Sequence, residues 1–174
     1  MGGDSIYELG PLKDIVLFFD CLNCFVVKHY IEQDWSLLAD RFYRRYLRME
    51  ELEIASNLMR KVKEIFSELA SDAVDWGQGI QGDINKTWLD AGLPTLDIIF
   101  SKHFENFEKA INSATHCAKE YGGYNPVRLS ISNGIIFVIE EMRPLEQYDK
   151  LSVTDTPFWD LPEDEYNKSL EGVG

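Results

Sequence analysis

Asn125–Asp149, NPVRLSISNGIIFVIEEMRPLEQYD, is the stretch whose reading decides the fold. Val127, Leu129 and Ile131 alternate with Arg128, Ser130 and Ser132, the period-2 pattern of a half-buried strand. Asn133-Gly134 supplies two residues that tolerate positive φ, as a type I′ turn requires. Ile135 to Ile139 is a continuous β-branched and aromatic run, suited to a buried strand. Glu140, Glu141, Met142, Arg143 and Pro144 follow at once, and Pro144 cannot donate to a ladder. A β-hairpin therefore opens directly onto charge.

Working outward, the preceding chain reads as helical. Pro11 suits the first position of a helix, and the apolar set Leu12, Ile15, Val16, Phe19, Leu22, Val26 and Tyr30 keeps helical spacing. A strand through Ile15–Phe19 is the less favoured alternative. Asp34 or Ser36 can cap a second helix through Leu37, Phe42, Tyr46 and Leu47. Its Arg41, Arg44, Arg45 and Arg48 would share one face, as an anion site or, more in keeping with exposed ion pairs, as a solvated face. Leu52, Ala55, Leu58, Met59, Val62, Ile65, Phe66 and Leu69 form the stripe of a third helix. A fourth runs from Pro94-Thr95 through Phe100, Phe104, Phe107 and Ile111 to a stop at Gly122-Gly123.

These elements predict a single α+β, mainly α domain over 1–174. It has about four helices bundled over 11–122, then a C-terminal antiparallel β-hairpin and an irregular acidic tail over 125–174. The first ten residues read as a Gly-bearing lead-in without a signal sequence. No stretch is apolar for long enough to span a bilayer. The expected location is cytoplasmic, away from membranes.

Composition narrows the function. The 174 residues carry 30 Asp and Glu against 17 Lys and Arg, a net charge of −13 that disfavours direct nucleic-acid binding and favours a basic protein partner. From Glu140 onward there are ten acids and three bases, and from Glu64 to Gly92 six acids and one lysine. Residues 71–95 hold four glycines, Trp76 and Trp88, and read as a long loop.

Catalytic and metal patterns are weak. Cys21-Leu-Asn-Cys24 has redox or zinc spacing, but lies mid-run among Phe18, Phe19, Leu22 and Phe25, where buried structural thiols are the better reading. His29, His103 and His116 stand apart, and GQGIQGD lacks the GK[ST] of a phosphate loop. No enzyme, cofactor or metal is expected.

DWSLLADRFYRRYLRMEELEIASNLMRKVKEIF (34–66) and SNGIIFVIEEMRPLEQYDKL…DTPFW (132–159) resemble immunity proteins of bacterial contact-dependent growth inhibition systems. The resemblance covers roughly a third of the chain. It implies a cytoplasmic protein that binds and neutralises a cognate toxin domain, often a nuclease acting on tRNA. An acidic adaptor without a toxin partner is the alternative. Recognition residues vary in such families, so the candidates rest on local charge and aromaticity. They are Asp72, Asp75, Trp76, Asp83 and Asp90 in the loop, and Glu140, Glu141, Glu146, Tyr148 and Asp149 after the hairpin. The post-hairpin set ranks second, because the shared part of such a protein is framework.

Overall fold

The computed structural model of the chain describes residues 5–71, 95–121 and 127–140, together with Pro157. Strand β3 (Val127–Ser132) pairs antiparallel with β4 (Ile135–Glu140), from Val127 opposite Glu140 to Ser132 opposite Ile135. Asn133 at φ 51° and Gly134 at φ 76° turn the chain between them. Two successive positive φ values match the right-handed twist of the strands, which is why a short polar pair closes this hairpin.

The hairpin is the middle of a larger sheet. Strand β1 (Ser5–Pro11) pairs with the far side of β4, and the two-residue β2 (Tyr46–Leu47) pairs with β3, giving the antiparallel order β1-β4-β3-β2. The expected lead-in is thus an edge strand. Tyr7 and Leu9 give it only a short apolar alternation, broken at Gly10 (φ 126°), where the register slips between Glu8 and Gly10. Pro11 both ends this strand, opposite Ile135, and caps the helix that starts at Leu12, one position before the first helical residue, and the Leu12 N–H donates to Gly134 O at 3.0 Å.

Helix α1 (Leu12–Cys21) continues into wider π-helical turns over Leu22–Val27, and a second π-helical segment spans Leu37–Phe42. A 3-10 turn (Met49–Glu51) leads into α2 (Leu52–Ser67). A short α3 (Leu96–Ile99) and the long α4 (Ser101–Tyr121) complete the described helices. The expected second helix stops early because Tyr46 and Leu47 are drawn onto Arg128 and Val127 of β3. Arg48 is consequently extended, at φ −85° and ψ 162°, and off the helical face assigned to the four arginines.

Where a bundle of about four helices was expected, the helices share their core with one face of the sheet. Leu9, Leu47, Val127, Leu129, Ile136 and Val138 from the sheet join Ile15, Phe18, Leu58, Val62, Phe66, Phe100, Phe104 and Phe107 from the helices. Phe18 is the hub, its ring 5.3–5.9 Å from those of Phe19, Phe66, Phe100 and Phe104. Edge-to-face contacts of this kind add to simple area burial. Strand alternation turns Ile6, Ile139, Arg128 and Tyr46, neighbours across the four strands, to the opposite face. The stop after Tyr121 at Gly122-Gly123 and the tail beyond Glu140 lie outside the described residues.

Candidate interaction surface

Of the ten residues singled out for recognition, Asp72, Asp75, Trp76, Asp83, Asp90, Glu141, Glu146, Tyr148 and Asp149 lie outside the described residues. Glu140 is placed by its backbone alone, as the last residue of β4 between Ser5 and Val127. The acidic C-terminal segment therefore departs from an inner strand, at the end of the sheet where β3 begins.

Among the described residues, a set of polar contacts lies where the 33–42 region meets the start of α2. A turn begins it: Trp35 Nε1 donates to Tyr30 O at 2.9 Å, and Ser36 N donates to Asp34 Oδ1 at 2.9 Å. Hydrogen bonds from Ser36, side chain first and backbone second, hold the exposed Asp34 carboxyl below its usual range. Lys61 Nζ on α2 donates to Gln33 Oε1 at 2.8 Å, tying the turn to the helix. Arg41 bridges to Glu51 at 3.4 Å and Arg44 to Asp40 at 2.9 Å. Glu51 Oε2 also accepts the Arg48 N–H at 2.8 Å, holding the 3-10 turn in place.

The guanidinium carbons of Arg41 and Arg48 lie 5.6 and 5.8 Å from the centre of the Tyr46 ring. Both are within cation–π range. Arg41 and Arg44 thus pair with local acids, and Arg41 and Arg48 stack on Tyr46.

Between the turn and α2 runs a groove of about 420 Å³, lined by Asp34, Asp40 and Glu51, by Arg41, and by the apolar Leu37, Ile54 and Leu58. Its residues come from segments some 20 positions apart, so sequence reading missed it: Asp34 reads only as a helix cap. The only available signal was exposure of apolar residues, and that is visible only after folding.

Cys21, Cys24 and His103 are interior, whereas His29 and His116 are exposed and Cys117 is partly exposed. Cys21 and Cys24 are buried and outside any disulfide, and burial pushes the Cys21 thiol up, away from reactivity. His103 stacks on Phe18, and burial pushes it down to about 4. A second groove, about 500 Å³, runs between α2 and α4 over Met59, Phe104 and Phe107, with charges of both signs on its walls. Among the described residues, no helix is long and apolar enough to cross a membrane. No family model, curated protein or solved structure matches this chain.

Proposed function

We propose that this chain is an immunity protein: it binds and neutralises a basic toxin domain, of nuclease type, in the cytoplasm of the cell that makes it. The observation carrying this reading is where the charge lies. The described residues hold 16 acids and 13 bases, close to balance. The rest of the chain holds 14 acids and four bases, so −10 of the −13 lies on 1–4, 72–94 and the segments after Glu140. A sequence whose acidic excess is concentrated in a few stretches suits a protein whose work is recognition of a basic surface. A nuclease presents such a surface because it must hold a polyanion, and complementary charge raises the rate of encounter. Inhibition by binding asks for no catalytic constellation in the inhibitor itself.

Co-expression tests the reading. Cells producing the toxin domain encoded beside this chain should grow when the chain is present and die when it is absent. Death in both cases would remove the immunity reading and leave the acidic adaptor in its place.

A further inference from the structure

The sheet has a second face, turned away from the helices, and part of it is buried. Tyr46 on β2, Arg128 on β3 and Ile139 on β4 are neighbours across three strands on that face. They are 4%, 5% and 7% exposed, yet Tyr46 and Ile139 lie outside the apolar core that helices and sheet share. Burial fades away from this trio. Ile6, the next residue across on β1, is 61% exposed. Toward the Asn133-Gly134 turn, Ser130 and Phe137 are half-buried and Ser132 is exposed. The burial is thus concentrated at the end of the sheet where β3 begins and β4 ends.

The patch is also positive. Arg128 is buried, and its Nη1 donates to Leu129 O at 3.0 Å. Arg41 and Arg48 flank the Tyr46 ring, and Arg48 Nη2 donates to Tyr46 Oη at 3.4 Å. Three guanidinium groups therefore gather around one tyrosine, with Glu51 answering Arg41. A carbonyl takes up one of the five donors of an arginine and leaves its charge. A guanidinium withdrawn from water is tolerated where a carboxylate meets it. What covers this patch must bring acid as well as apolar surface.

Two stretches of the chain lead to this end of the sheet. Residues 122–126, GGYNP, carry no acid. Residues 141–149, EMRPLEQYD, carry three, together with Met142, Leu145 and Tyr148, and they begin two positions after Ile139. Strands lie about 4.8 Å apart, so β4 and β2 are separated by roughly 10 Å, which three or four extended residues cross.

We propose that residues 141–149 fold back across this face of the sheet and close it, with a carboxylate of Glu141, Glu146 or Asp149 paired to Arg128. The stretch is then a piece of the framework rather than a recognition surface. The proposal does not rest on the immunity reading. With three acids against Arg143, it takes up only −2 of the −10 that lies outside the described residues.

The test uses the full-length chain. Arg128→Lys keeps the charge and supplies an amine that a water-soluble carbodiimide joins, with loss of water, to a carboxylate in contact with it. Peptide mass spectrometry should find position 128 linked to Glu141, Glu146 or Asp149 within one chain. A link to any other acid, a link between two chains, or no link in the folded variant would overturn the proposal. Urea unfolding gives a second reading that does not need that variant to fold. Glu141→Gln/Glu146→Gln/Asp149→Asn should lower the midpoint in the wild-type background and leave it unchanged beside Arg128→Leu. Equal loss in both backgrounds, or loss in neither, would also overturn it. Failure of the cross-link leaves the immunity reading standing, and failure of protection against toxin leaves the cross-link to decide the cover.

Discussion

The imidazole of His103 lies flat against the ring of Phe18, with centroids 5.4 Å apart and planes 10° from parallel. It is 9% exposed, and neither ring nitrogen has a hydrogen-bond partner among the described residues. A histidine in this setting behaves as an aromatic core residue that resists protonation.

Acid should therefore unfold the protein through this residue. The folded pKa of about 4 lies below the ordinary 6.5, with burial the larger cause and Lys102 the smaller. The unfolded chain takes up a proton that the folded one refuses, so the contribution is complete above pH 6.5 and is lost as pH falls through 4. That amounts to about 3 kcal/mol. Urea unfolding at a series of pH values should show His103→Leu losing less stability across this window than wild type, and identical slopes would rule the mechanism out.

Phe18 carries the packing around that contact. Its ring meets four other phenylalanines, and it is 3% exposed. Phe18→Ala should cost about 4 kcal/mol in chemical denaturation, from lost transfer energy and the cavity left behind. A loss below about 1 kcal/mol would mean the seam between α1, α2 and α4 is not packed as described.

The helices and the hairpin were legible because each repeats one period for long enough to be read. The α2 stripe from Leu52 to Phe66 and the Asn133-Gly134 turn are local signals, and tertiary packing agrees with them. The other two strands were not. β2 is two residues long and continues a helical apolar pattern from Phe42, so only its pairing with Arg128 and Val127 reveals it. β1 is interrupted by Gly10, and its pairing partner lies about 130 residues away. The acidic groove was illegible for the same reason, since Asp34 and Ile54 become neighbours of one cleft only when α2 packs on the preceding turn.

The two glycines at positive φ among the described residues, Gly10 and Gly134, should respond unequally to alanine. At Gly134 (φ 76°) an added Cβ meets nothing within 4 Å, so the cost is backbone strain alone, about 1 kcal/mol. At Gly10 the φ of 126° is harder for an L-residue and the Cβ approaches Asp14 Oδ2 at 3.9 Å, at the point where β1 slips register. Thermal melts should rank Gly10→Ala as the less stable variant, and the reverse order would contradict the bulge geometry.

Thiol accessibility distinguishes a binding protein from a thiol enzyme. Cys21 and Cys24 are buried and Cys117 is partly exposed. In the native protein an aromatic disulfide reagent should label Cys117 first, and label Cys21 and Cys24 only at the rate of unfolding. Rapid labelling of Cys21 at neutral pH would revive the redox reading.

Affinity for the toxin domain as a function of salt tests the central claim most directly, with wild type compared against Asp75→Lys/Asp83→Lys. If the acidic stretches of the sequence recognise a basic toxin, wild-type binding weakens steeply as salt rises. The reversed variant then binds more weakly at low salt, with a flatter dependence. Unchanged affinity and an unchanged salt slope in the variant would contradict the account.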